Sequence, residues 1–255
     1  MVRQAAEIST CLVRLFMNLT HTHSLSISLS VMATKNRSDF KATSRPATIF
    51  AQVVMVAVFT LVLVWLLHFR GGLAFNSPNK QKIFNVHPLL MVIGFILISG
   101  EGIMMHKIVP ASKDTQKLLH LTWLFIALIA AIVGIYAVFK FHNELDIPNM
   151  YTLHSWIGMS TICLCGIQWT VGFFSFLWPG AEQETRARLV PWHAVFGMVI
   201  FLMATLTAET GLIEKSTFLK LTADSQEALI VNFTGLLLIL FAISVGLSVL
   251  LLRKH

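Results

Sequence analysis

Hydrophobic positions in this chain gather into six long runs, parted by short polar stretches. The runs cover residues 49–67, 87–105, 118–139, 153–178, 192–213 and 228–252. A helix crossing a hydrocarbon core takes about 20 predominantly apolar residues, so each run predicts one transmembrane helix. The connections are short, which makes helices adjacent in sequence antiparallel neighbours in space. The pattern predicts an all-α polytopic membrane protein: one six-helix bundle over residues 48–255, preceded by a tail of different character over 1–47.

Four histidines interrupt the apolar pattern at corresponding places. They are His87 in NVHPLLM, His120 in KLLHLTW, His154 in YTLHSWIG and His193 in PWHAVFG. Each opens a different run. An ionisable side chain at membrane depth is costly, and marks function by default. With the N-terminus inside, helices two and four run inward, and helices three and five run outward. His87 and His154 then share an outer level, and His120 and His193 an inner one. Helices two to five become a four-helix core with one two-histidine site near each face, built from inward-facing side chains. Two axial imidazoles on a haem iron leave no open position, so such a group carries electrons. If each site lies a turn or two inside a core about 30 Å thick, the irons stand roughly 15–20 Å apart. His68 at the end of helix one, His142 in an outer loop, His21 and His23 in the tail and terminal His255 fall outside the pattern.

Composition agrees. The chain is 56% apolar and 12% charged, against about 25% charged in a soluble domain. Its net charge of +7 does not point to nucleic acid, because the basic residues sit at helix ends rather than in one stripe. They speak to topology. A cytosolic N-terminus puts Arg3, Arg14, Lys35, Arg37, Lys41, Arg45, Lys107, Lys113, Lys117, Arg186, Arg188, Arg253 and Lys254 inside. Only Arg70, Lys80, Lys82, Lys140, Lys215 and Lys220 fall outside, so both termini are expected to be cytosolic. Cys163 and Cys165, two apart on one helix, point to different sides and read as small packing residues; with Cys11 in the tail they imply no disulfide framework. The tail is rich in Ser, Thr and Arg, with only Glu7 and Asp39 as acids, which resembles a transit peptide. Arg14 interrupts its apolar stretch CLVRLFMNL, which favours a cytosolic tail or a start at Met32. Of the sequons, Asn18 and Asn36 would be cytosolic, and Asn232 lies within helix six.

At these residues the chain resembles the cytochrome b561 family of transmembrane ascorbate-dependent oxidoreductases and ferrireductases. The resemblance runs from WLLHFRGGLAF, starting at Trp65, through GLIEKSTFL, ending at Leu219. It is carried by FNVHPLLMVIGF, KLLHL, KFHNELDIPNMYTLHSWIG and LVPWHAVFG, and RGGLAF and TGLIEKSTFL look most like the plant branch. It implies a homodimer with two b-type haems per subunit, held by His87, His154, His120 and His193. It also implies electron flow from cytosolic ascorbate to monodehydroascorbate or ferric chelates on the opposite side of an endomembrane or plasma membrane.

Ascorbate is a monoanion at neutral pH, so its site needs cations near the inner histidines. Lys113 and Lys117 precede His120 by seven and three residues, one helix face if helix three extends that far back; Arg186 precedes His193 by seven. These three match the family's cytosolic ascorbate site. Phe141, His142 and Tyr151 match its outer substrate site, where a histidine can steady an anion or pass a proton. Glu101 and Glu209, inside apolar runs, are open to a proton-relay role or a purely structural one. Two other classes fit the residues: a transporter using its histidines as proton or metal sites, which predicts one midplane cluster, and a dihaem anchor subunit of a larger complex.

Overall fold

A computed structural model describes residues 45–250. The readings on Cys11, Met32, Asn18, Asn36 and the rest of the tail, and on residues 251–255, lie outside the described residues. Six helices are long and apolar enough to cross a membrane: α1 Arg45–Phe69, α2 Lys80–Ile108, α3 Lys113–Glu144, α4 Leu153–Phe176, α5 Gln183–Phe218 and α6 Gln226–Leu250. Helices α2 to α5 form a ring in which α2 meets α3, α3 meets α4, α4 meets α5 and α5 returns to α2. Helices α1 and α6 lie against each other and flank the ring on its α2 and α5 side.

Every helix but α4 starts earlier than its apolar run. His87 and His120 sit seven residues into α2 and α3, and His193 sits ten residues into α5; only His154 occupies a first turn. Hydropathy misses a polar first turn, but capping reveals it. Asn79, Ser112 and Thr152 each accept a hydrogen bond from a backbone N–H of the turn they begin. His142, expected in a loop, lies in the last turn of α3.

Proline shapes α2. Pro88 has no N–H to donate and follows His87 directly. From Leu90 to Leu97 the helix then opens into wide i→i+5 turns before closing again at Ile98. Gly94 lies in this stretch so close to α3 that a methyl there would meet the Ala130 side chain at 2.6 Å.

At the face where α2 and α4 begin, polar contacts stitch the elements together. Arg70 forks onto Glu227, Nε to Oε1 at 2.9 Å and Nη2 to Oε2 at 3.0 Å, and Trp65 Nε1 donates to the same carboxylate at 2.8 Å. This joins the end of α1 to the start of α6. Gly71 and Gly72, at φ +74° and +96°, then turn the chain where a side chain would be strained. Fully buried Asn85 donates to the carbonyls of Arg70 and Gly72 at 3.0 and 2.8 Å, fastening that turn to α2. The Lys80 ammonium, 2.6 Å from Glu144, joins α2 to α3 and holds that carboxyl below its ordinary value. A depressed carboxyl favours the folded chain above its unfolded pKa, so this contribution fades as pH falls through the lowered value.

Because three donors converge on Glu227, one from buried Trp65 and two from partly buried Arg70, Glu227→Ala should destabilise the bundle by about 2–3 kcal/mol, from the donors left unpaired. Glu184→Ala removes an exposed pair with Arg188 and should cost under about 0.5 kcal/mol. Thermal unfolding in detergent reads the difference; equal midpoints for the two variants would contradict it.

Candidate functional site

The four ring histidines form two pairs. The rings of His87 and His154 face each other with centres 6.2 Å apart and planes at 84°. Those of His120 and His193 stand 6.1 Å apart at 69°. The pairs lie at opposite levels of the bundle, as the antiparallel order requires. Among the described residues no cluster of three or more His, Cys, Asp or Glu is placed to hold a bare metal ion, and the histidines do not converge at one midplane site.

Each ring is held by its other nitrogen. His87 Nδ1 lies 3.1 Å from the Gly134 carbonyl, His120 Nδ1 2.8 Å from that of Gly102, and His154 Nδ1 2.9 Å from that of Thr207. A carbonyl only accepts, so these contacts require a proton on Nδ1 and leave Nε2 free to bind a metal. At His193 the neighbour is a side chain. Gln168 Nε2 donates to the His193 carbonyl at 2.7 Å and lies 3.0 Å from Nδ1.

These contacts follow a rule. α2 and α3 fix each other's histidine, and α4 and α5 do the same. Each helix thus presents a histidine at one level and a steadying partner at the other. The two positions are fourteen residues apart on α3 (His120 and Gly134), α4 (His154 and Gln168) and α5 (His193 and Thr207), and fifteen on α2 (His87 and Gly102). At 1.5 Å per residue the levels are about 20 Å apart along the helices.

Glycines make room for the rings. A methyl on Gly211 would lie 2.7 Å from His154 Cε1, and one on Gly172 3.0 Å from His193 Cε1. The geometry fits a planar macrocycle gripped from both sides. A metal–imidazole bond of about 2 Å on each side, plus the half-ring behind each nitrogen, spans roughly 6 Å between ring centres. A porphyrin supplies the four equatorial ligands that two histidines lack.

The first pair opens into a cavity of about 160 Å³. His142 and Tyr151 line it. His142 is oriented by Asn149, whose Oδ1 is 3.0 Å from Nδ1. Phe141 is placed differently: only 6% exposed, it packs edge-on against Phe84, which in turn lies beside His87. At the other face, α3 does reach back to Lys113, so Lys113 and Lys117 stand two turns and one turn before His120. Lys117 pairs with Asp114 at 3.2 Å. Arg186 lies in the first turn of α5 at this same face and makes no ion pair among the described residues, whereas Arg188 is bound to Glu184.

His106 and four glycines escaped the sequence reading. His106, its ring centre 5.6 Å from that of His120, follows the second apolar run directly and so falls outside the pattern of histidines that open a run. Gly102, Gly134, Gly172 and Gly211 had a usable signal, since glycine inside a helix costs about 1 kcal/mol against alanine and asks for a reason. Glu101 accepts from Gln52 Nε2 at 2.7 Å, linking α1 to α2. Glu209 Oε1 is buried without a hydrogen-bond partner, and its other oxygen fills the space beside Gly235. Cys165 is buried and Cys163 exposed, on different sides of α4.

A membrane bundle with two facing histidine pairs on four helices fits one class, the intramembrane haem-dependent electron carriers. Residues 86–219 match the family model for eukaryotic cytochrome b561. Among relatives, a rice probable ascorbate-specific transmembrane electron transporter (Oryza sativa subsp. japonica) is 52% identical over 78% of this chain and 87% of its own. An Arabidopsis thaliana transmembrane ascorbate ferrireductase is 43% identical, over 76% and 86%. A Mus musculus transmembrane ascorbate-dependent reductase is 38% identical, over 77% and 79%. The chain belongs to the cytochrome b561 family, whose membership implies haem and oxidoreductase chemistry.

The close approach of Gly211 and Gly172 to the histidine rings gives a test. Gly211→Val and Gly172→Val should each displace a histidine ring and weaken the low-spin haem absorption in visible spectra. Gly166→Val, with nothing within 4 Å of the added carbon, should leave that absorption intact; equal loss in all three would show a general helix effect instead.

Proposed function

We propose that this protein carries single electrons across a membrane, from cytosolic ascorbate to monodehydroascorbate or a ferric chelate on the opposite side. The observation that carries this reading is the stacking of two paired-histidine sites about 20 Å apart along the helix axes, one toward each face. A b-type haem bound between each pair would supply reversible one-electron chemistry; His87 and His154 would hold one and His120 and His193 the other, two per subunit. The N-terminal face is cytosolic, as the excess of Lys and Arg there favours. The subunit works as a homodimer, as the family resemblance implies.

On the cytosolic side Lys113, Lys117 and Arg186 hold the ascorbate anion beside the inner site, where it gives up one electron and one proton. Their attraction acts over a Debye length of about 8 Å, so a defined contact, rather than the net charge of the face, sets the rate. On the opposite side His142 and Tyr151 line the cavity that the acceptor reaches. Phe141 acts from behind, bracing Phe84 against His87. The names of the relatives, ascorbate-specific transporter and ascorbate ferrireductase, support this donor and this class of acceptor.

Haem stoichiometry tests the two-site reading. A pyridine haemochrome assay should return two haems per chain. His87→Ala and His154→Ala should remove the same one, and His120→Ala and His193→Ala the other. One haem in the wild type, or different losses for His87 and His154, would contradict it.

The donor site is tested separately. Lys117→Ala or Arg186→Ala should slow reduction by ascorbate about tenfold while both haems stay bound and reducible by dithionite. Lys117→Arg should recover part of the rate, since charge is kept and geometry altered. An unchanged rate and saturation in both alanine variants would mean that these cations only set topology.

A further inference from the structure

The cavity beside His87 and His154 contains a cation that the reading above does not use. Lys215 lies on α5, three residues before its end, yet only 8% of it is exposed. Its ammonium does not turn out toward the membrane surface. It lies 3.7 Å over the centre of the Phe84 ring, donates to Gln81 Oε1 at 3.1 Å, and lines the cavity with His87 and His154.

A buried ammonium is expensive unless an anion compensates it. Lys215 has no ion-pair partner among the described residues. The nearby Arg70 and Glu227 neutralise each other in their fork. Glu214 also lines the cavity but forms no ion pair with Lys215. An aromatic face and one amide oxygen offset only part of what it costs to take a charge out of water. The ammonium is therefore held in place, directed at the cavity and left one anion short. Lys220, five residues on, is exposed and needs no such partner.

We propose that Lys215 is the binding cation of this cavity, completed by an anionic oxygen of the carboxylate class on the molecule lodged beside His87 and His154. Such an oxygen has two sources: a propionate of the haem held by that pair, or an anionic acceptor entering past His142 and Tyr151. The proposal rests on the haem reading above. Phe84 serves both partners, since it supports Lys215 on its face and lies beside the His87 ring, 6.2 Å between centres. The cation is thereby tied to the geometry of the site.

Full-length protein carrying Lys215→Met or Lys215→Arg tests this. Two readouts separate the sources: the haem propionate bending band in resonance Raman spectra, and KM for ferric citrate against KM for hexaammineruthenium(III), a cation. If the oxygen is a propionate, Lys215→Met shifts the band and makes the outer haem harder to reduce, while KM for ferric citrate holds within about twofold. If it belongs to the acceptor, Lys215→Met raises KM for ferric citrate about tenfold, spares hexaammineruthenium(III) and leaves the band in place. In either case Lys215→Arg stays close to wild type. A Lys215→Met protein with two haems, an unmoved band and unchanged KM for both acceptors overturns the proposal. Should that variant fail to load haem, Lys215→Gln, uncharged but polar, is read by the same criteria. Wild-type protein lacking the second haem would defeat the haem reading, whereas silent variants in a two-haem protein defeat only this one.

Discussion

The hydrogen bond behind each histidine is the constraint on which the rest of this structure depends. A ring that binds metal through Nε2 must be held by Nδ1, and three of the four rings are held by a main-chain carbonyl of the neighbouring helix. Helix carbonyls are ordinarily committed to their own helix, so sharing one demands close approach. The glycines answer that demand: Gly134 and Gly102 are themselves the acceptors, and Gly211 and Gly172 give the rings space. Two helix pairs result, each fixing both of its own histidines, and the sites form where the pairs meet. Gln168 is the departure from this symmetry, a side chain where the other three rings find backbone.

The same logic explains why α2 is irregular. On three helices the histidine and the steadying residue are fourteen apart, but on α2 they are fifteen. An α-helix with an additional residue between the two levels would turn one of them away by about 100°. The wide turns from Leu90 to Leu97, lying between His87 and Gly102, hold more residues per turn and take up the excess. Pro88, which lacks the N–H of a regular turn, stands two residues before that stretch. The irregular stretch thus keeps both ends of α2 in register with its neighbours.

Much of this was legible in the sequence because a membrane simplifies the code. Apolar runs had to be helices, their order had to be antiparallel, and four histidines at matching places had to fall at two levels. What was not legible depended on contacts between helices. The polar first turns of α2, α3 and α5 lie outside the apolar runs, so the histidines looked closer to the helix ends than they are. His142 looked like a loop residue for the same reason, since LysPheHis is a weak continuation of an apolar run although the helix runs on to Glu144. Phe141 and His142 are adjacent in sequence, but one braces Phe84 and the other lines the cavity. Lys215 read as an ordinary flanking charge because spacing does not say which way a long side chain turns. Its position over Phe84 comes from the packing of α5 against α2, which has no signature in either helix alone.

The central claim is that both histidine pairs act in series across the bilayer. Its most direct test is reduction of an impermeant ferric chelate outside sealed proteoliposomes that hold ascorbate within, scored on the fraction of protein oriented with its N-terminal face inward. The account requires external reduction with the wild type and its collapse when either level alone is broken, as in His154→Ala, even though the other site still takes an electron from ascorbate. External reduction that persists at the wild-type rate with one level broken would contradict it.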